Sequence, residues 1–583
     1  MTSERKDWAN HHGGCHAEAP PAQAGRCQAG AAAAPGTDDE FRQEAGEVRG
    51  DVAREEVLGP RSGPAGRSDS QSRGGSSRHS GCEACGGAEF SCGGAEEELE
   101  GEEGGASGSG GGRLHVPPAA LDGLAALAAP ESARGESGVV AVTGGAIAAA
   151  RAEPERHAAV DDDSDAVRSR EMVVQREFAH HHSGVARLNN GSFGSAPRCV
   201  LDDQAQWNLQ WLRHPDEFCW DPLSDGFLAA RKGLAELIGG PDVDEVVLLE
   251  NATTGAAIVA VDCMWGFLEG RFARGDGIVM FDSAYGAVKK CFQGYCVRAG
   301  AHLLEYKMPF PVKSKEEILH SFEEFLKKEK ADHPARIIRL AILDHITSMP
   351  SIILPVRDLV RLCRTYGVEQ VLVDGAHAIG SVDINVHEID ADYYMANVHK
   401  WLFAPPVVAF FHAKAHHLSR LHHPVVSHSY GTGLLNETYW VGTRDYSALL
   451  SVPKAIQFVK DFFGDLENYR MSNHDKVVEM GEMLARSWGT CLGAPRDLFA
   501  SMAMVGLPPG LNIHSQDDAL KMRTRLREEF HVEVPLCYAG DSMSEKDGSK
   551  VVAYARISHQ VYNKLEDYYV FRDAVNMMLA EGA

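Results

Sequence analysis

Within residues 371–406, VLVDGAHAIGSVDINVHEIDADYYMANVHKWLFAPP, two side chains have the type and the setting to do chemistry. Asp374 ends a short apolar, β-branched run, and Lys400 follows a second apolar run. Each therefore sits where a buried strand meets a loop, the place where α/β proteins put their reacting groups. Lys400 lies between His399 and Trp401, company that argues against an ordinary surface charge. A lysine shielded in this way, beside a cation or a cofactor, is a nucleophile at neutral pH. A carboxylate beside a heterocyclic nitrogen keeps that nitrogen protonated, because a nearby opposite charge favours the charged form. Lysine and acid together are what pyridoxal phosphate asks of a protein: Lys400 to hold it as a Schiff base, Asp374 to pair with its pyridinium nitrogen. Taken alone, the two residues also fit a helix cap and a lysine with a buried stem.

Further segments bear on the same chemistry. LNNGSFG, residues 188–194, is a polar, glycine-rich turn after an apolar run, and its glycines allow close backbone approach to a ligand. A strand over 246–249, then NATTG and an apolar helix, form an anion site of the helix N-terminal kind, although Thr253 also suits a plain N-cap. A strand over 277–281 delivers DSAYGA, in which Tyr285 can stack on a ring or donate a proton, or simply pack at a helix start. A buried strand over 337–343 ends in DHITSMP, where Asp344 and His345 fit either an acid–base pair or a hydrogen-bonded pair that stiffens the loop. WVGTRD, residues 440–445, is a second polar turn. Arg556, read at a strand exit in YARISHQVYN, suits a carboxylate bound through two parallel hydrogen bonds, or else a surface ion pair.

VDGAHAIG followed by NVHKWLFAPP resembles the class V aminotransferase family of fold-type I pyridoxal-phosphate enzymes. Within it the likeness is to the isopenicillin-N-epimerase-like branch, which includes plant L-cysteine desulfhydrases. It covers residue 176 to the C-terminus. The family usually shows D-x-A-Q and S-x-H-K; here His377 stands in place of the glutamine at the cofactor's phenolic oxygen, and Asn397 in place of the serine at its phosphate, with His399 before the lysine. The resemblance implies that Asn190 and Gly191 line the substrate side, and that Ala252 and Thr253 hold the phosphate. Tyr285 lies beside the position of a stacking histidine, which Ala284 occupies here. Gly442 and Thr443 of the partner subunit in a homodimer are implied to reach the phosphate. Arg556, in an R-(I/V/A)-S-x-x-x-Y-N motif, is assigned to the substrate α-carboxylate.

The expected reaction is β-elimination of L-cysteine to pyruvate, ammonia and hydrogen sulfide, with Lys400 removing the Cα proton. Desulfuration would need a nucleophilic cysteine, and only Cys491 and Cys537 lie between Lys400 and Arg556. Cys537 sits in an alternating strand pattern, VEVPLC over 532–537, where cysteine is usually a small buried hydrophobe. That favours a desulfhydrase over a desulfurase. An amino-acid epimerase or another C–S lyase of the family stays open, and a non-enzymatic binding protein is disfavoured because Asp374, Lys400 and Arg556 are all present.

These side chains need a scaffold. Strand and helix alternate from 240 to 412, as in the mainly parallel sheet of an α/β fold. The expected divisions are a disordered, low-complexity extension over 1–170, an entry segment with the large cofactor domain over 171–450, and a smaller α+β domain over 451–583. The extension is poor in aromatics and rich in Gly, Ala, Ser and Glu, too little apolar surface to offset ordering entropy. Its Cys82 and Cys85 have the spacing of half a zinc site whose second half is missing, so no metal is expected. Across 583 residues the net charge is −25, which argues against a nucleic-acid surface. No apolar run approaches a membrane span; the best, GAAIVAVDCMWGFL, is broken by Asp262. Thirteen scattered cysteines and a polar N-terminus without a secretory signal point to reduced thiols inside the cell, the cytoplasm first, with nucleus or organelle open.

Overall fold

The computed structural model of this chain describes residues 161–540, 544–546 and 549–582. Residues 1–160 lie outside it, and with them Cys82, Cys85 and nearly all of the expected disordered extension. A helix, Asp161–Glu177, spans the expected boundary at residue 170. It opens on DDDSD and carries Arg176 in its last turn. A base in the last turn complements the helix dipole.

Six short, mainly apolar runs are buried at every position but Arg339 and Gln370, the mark of strands covered on both faces. In chain order the strands are β1 (Ala186–Arg187), β2 (Val246–Leu249), β3 (Gly277–Phe281), β4 (His302–Tyr306), β5 (Ile338–Asp344), β6 (Gln370–Asp374), β7 (Tyr393–Asn397) and β8 (Ala409–Ala413). All but β1 form one seven-stranded sheet in the order β2-β8-β7-β6-β5-β3-β4. The pairs among β3, β4, β5, β6 and β7 are parallel, whereas β8 is antiparallel to both β7 and β2. The fold is thus α/β with a mainly parallel sheet. β8 departs because a parallel return needs a crossover of about a dozen residues or more, and the link from β7 holds only the one-turn helix Val398–Trp401 and a short loop.

Alternate residues of the strands feed two separate cores, as the two-residue period of a strand requires. Val373, Leu343 and Phe410 pack on one side, while Leu372, Ile342 and Phe411 pack on the other. The second side receives the helix Ala252–Leu268, whose one buried charge, Asp262, is met by Arg271 at 3.1 Å and Arg420 at 3.0 Å. Among the described residues no helix is long and apolar enough to cross a membrane.

The C-terminal region adds β9 (Met502–Gly506), β10 (Val532–Glu533), β11 (Leu536–Tyr538), β12 (Ser544–Lys546), β13 (Ser549–Val551) and β14 (Ala553–Ser558). β11, β14 and β9 form an antiparallel sheet flanked by long helices such as Leu466–Trp488. The single strand expected over 532–537 is in fact two. Pro535 has no N–H to give to a ladder, so β10 pairs with β1 and β11 turns away to pair with β14. Arg556 lies inside β14 and not at its exit, with Met504 opposite it on β9.

Candidate active site

The C-terminal ends of β5, β6 and β7 open into one cavity, as the fold class dictates. Asp344 and Asp374 end β5 and β6 as direct register partners, and both are buried. Lys400 enters from the one-turn helix after β7, with its Nζ 3.2 Å from Nε2 of His377 and 6.0 Å from the centre of the Tyr285 ring. Ala252, Thr253, Tyr285, Asp374, His377, Asn397, His399 and Lys400 all line this cavity.

The hydrogen bonds assign states to these groups. Burial, then the charges of Lys400, Arg556 and His399, hold the His377 ring well below the ordinary histidine range, so it is neutral. The Trp401 indole N–H donates to His377 Nδ1 at 3.4 Å. A neutral imidazole with one accepting nitrogen carries its proton on the other. Nε2–H therefore faces Lys400 Nζ. His399 is also neutral: burial brings it down to about 4, and Nδ1 donates to the Val408 carbonyl at 2.7 Å. Burial raises the Asp374 carboxyl above the usual range, against the opposing pull of the Ala376 N–H at 2.9 Å and the Lys400 charge.

Three placements differ from the sequence reading. Ala252 and Asn397 are bonded to each other, the Ala252 N–H donating to Asn397 Oδ1 at 2.9 Å. Asn397 thus caps the helix Ala252–Leu268 with Asn251, which accepts from the Thr254 N–H at 3.0 Å, and Thr253 is the residue left exposed to the cavity. Asn190 and Gly191 lie behind the cavity wall. Asn190 Nδ2 donates to the Lys400 carbonyl at 3.0 Å, and a Cβ on Gly191 would come within 2.4 Å of Met502 Sδ. The neighbouring Ser192 reaches the cavity instead. Thr443 lies in a separate groove with Trp207, Trp211 and Phe218, a placement that leaves the expected role toward a partner subunit untouched. His345 points away: its Nδ1 is 2.7 Å from the Tyr394 hydroxyl, and burial brings the ring down to about 4. It forms no acid–base pair with Asp344.

Arg556 stands one layer back, with Nη1 donating to the Ser348 carbonyl at 3.0 Å and Nη2 to Asn189 Oδ1 at 2.9 Å and Ser192 Oγ at 2.7 Å. Ser192 and Ser348 line the cavity. Sequence reasoning named neither serine, although both sit in motifs it quoted. Cys537 is outside this cavity, in a neighbouring cleft with Met349 and Pro350. Burial pushes its thiol up to about 12, against the Tyr554 backbone and the Arg556 charge, so it stays a thiol.

The donor set fits pyridoxal phosphate on its own terms. Lys400 places its Nζ in the cavity, 3.2 Å from His377 Nε2. Asp374 is a buried carboxylate bonded, among the described contacts, only to a backbone N–H. Thr253 exposes the start of a 17-residue helix, where an anion is favoured.

The sequence matches the family Aminotransferase class-V over residues 221–508. It is 50% identical over 417 residues to L-cysteine desulfhydrase of Arabidopsis thaliana, a match covering 70% of this chain and 91% of that one. It is 27% identical to isopenicillin N epimerase of Streptomyces clavuligerus, over 68% of this chain and 96% of the other. The fold is similar to that of a cysteine desulfurase from Thermococcus onnurineus NA1, with a TM-score of 0.53 at 16% identity over 70% of this chain and 98% of that one.

Proposed function

The chain belongs to the class V aminotransferase family, and from that premise we propose that it is a pyridoxal-phosphate-dependent L-cysteine desulfhydrase. The observation that carries this reading is the convergence of Lys400, His377 and Asp374 in one cavity at the strand ends, in a chain half identical to a plant L-cysteine desulfhydrase. When bound, the cofactor supplies an electron sink for negative charge developing at the substrate Cα.

The chain's own residues supply the rest. Lys400 would anchor the cofactor and then take the Cα proton, with the His377 ring beside its amine at 3.2 Å. Asp374 holds a proton-bearing ring nitrogen, and Thr253 with the helix start holds the phosphate. Tyr285, 44% exposed at the cavity, hands a proton to the departing sulfur. Ser192 and Ser348, with Arg556 behind them, receive the substrate carboxylate. Asn190 fixes the backbone of Lys400 through its carbonyl. L-cysteine and water go to pyruvate, ammonia and hydrogen sulfide without a protein persulfide, which agrees with Cys537 lying half-buried in another cleft with its thiol held protonated.

Gly442 and Thr443 are proposed to serve the phosphate of a partner subunit in a homodimer. The described cysteines are all free thiols, which suits an intracellular setting, the cytoplasm first.

Product analysis tests the reading. The full chain, loaded with pyridoxal phosphate and given L-cysteine without added reductant, should release sulfide and pyruvate in equal amounts. Alanine in place of pyruvate would overturn it in favour of desulfuration.

A further inference from the structure

Asp344 has no role in the reaction as described, yet it is among the most confined charges in the molecule. It is 3% exposed and ends β5 directly opposite Asp374 on β6. Parallel neighbours in register stand about 4.8 Å apart and point to the same side. Both carboxyls line the same cavity.

The surroundings of the pair are unequal. Asp374 accepts the Ala376 N–H and has Lys400 and the neutral His377 across the cavity. Asp344 Oδ2 is buried without a hydrogen-bond partner. The positive charge that acts on it, Lys289, is engaged by Glu305 at 2.8 Å and by the Asp282 carbonyl at 3.1 Å. His345 beside it is neutral and turned to Tyr394, whose phenol is held protonated by burial and by Asp374. Two like charges this close in a dry site do not both ionise. Burial, and then Asp374, push the Asp344 carboxyl well above the usual range, while the raised Asp374 keeps its two favourable partners.

We propose that Asp344 and Asp374 share a single proton carried on Asp344, so that Asp344 presents a neutral O–H donor to an acceptor oxygen of the ligand while Asp374 remains the carboxylate. The ligand rests on the cofactor reading above; the shared proton does not. The acceptor belongs either to the cofactor or to the substrate, and the two sources are separable.

Infrared spectra of the full chain at neutral pH, without cofactor, test the proton directly. The wild type should show the carbonyl band of a protonated carboxylic acid, and Asp344→Asn should lose it. A wild type without the band, or a band that survives Asp344→Asn, overturns the proposal. Absorbance titrations with pyridoxal phosphate test the donor. Asn keeps a neutral donor and Leu does not, so half-saturation should stay within about threefold of wild type in Asp344→Asn and weaken about tenfold in Asp344→Leu. If the acceptor is on the substrate, both titrations stay at the wild-type value and the KM for L-cysteine rises in Asp344→Leu alone. Equal losses in the two variants contradict a neutral donor. A wild type that takes up no pyridoxal phosphate would sink the functional reading and leave the infrared result to decide the shared proton.

Discussion

The two ends of the large sheet treat buried acids in opposite ways. At the N-terminal ends of its strands each acid meets an arginine. Asp276, before β3, is bonded by Arg339 at 2.6 Å, and Asp392, before β7, by Arg364 at 2.6 Å, His417 at 3.0 Å and the Val371 N–H at 2.6 Å. At the C-terminal ends Asp344 and Asp374 meet each other, and no arginine is bonded to either among the described residues. Burial is alike, and the outcome is reversed. Burial alone would raise Asp392, but His417, Arg364 and the backbone bring it down to about 2. Asp344 and Asp374 stay raised. One end is closed as structure; the other holds its electrostatic cost open for a ligand to relieve.

Removing the reacting amine should have the largest effect. Lys400→Ala should lower sulfide release from L-cysteine by about a thousandfold or more, with the urea midpoint nearly unchanged. A variant that kept wild-type sulfide release would break the functional half of the comparison.

The structural end should answer in stability. Asp392→Asn takes the carboxylate from the half-buried Arg364 and the buried His417 and should cost about 2 kcal/mol in urea unfolding. Its pH dependence has a definite sign. A carboxyl held near 2 in the folded chain, against 3.8 ordinarily, contributes stability that is present above the ordinary value and lost as pH falls from about 4 to 2. Asp392→Asn should flatten that acid limb. The raised pair at the other end acts oppositely, its contribution being lost as pH rises through the folded values. An Asp392→Asn chain with an unchanged acid limb would show that the pairing carries no stability.

Much of this layout could be read from local pattern. β2 and β3 fall over the expected residues, because uninterrupted apolar runs bounded by polar turns leave little choice. The placement of Lys400 and Asp374 at strand ends follows from the same pattern. Pairings between distant strands could not be read. Nothing near Asp344 announces that its register partner is Asp374, and the Ala252–Asn397 bond spans 145 positions. Asn190 and Gly191 were expected in the cavity because their motif was recognisable, but the motif does not say which of its members faces inward; Ser192 does. The break at Pro535 was visible in VEVPLC and was outweighed by alternation.

Smaller effects sharpen the division further. Arg556→Ala should raise the KM for L-cysteine about tenfold through the loss of charged hydrogen bonds, with half-saturation by pyridoxal phosphate changed much less. The reverse pattern would move Arg556 to the cofactor. Cys537→Ser should change sulfide release less than about twofold, since a hydroxyl in place of this half-buried thiol lies in another cleft. A larger loss, accompanied by alanine, would restore a persulfide carrier.

The central claim is that Lys400 is the amine that takes the cofactor. Borohydride reduction of the pyridoxal-phosphate-loaded chain, followed by digestion and mass spectrometry, locates the attachment. The account predicts the pyridoxyl group on Lys400 and no visible absorbance band in Lys400→Ala. Attachment at another lysine, or a band that survives in Lys400→Ala, would contradict it.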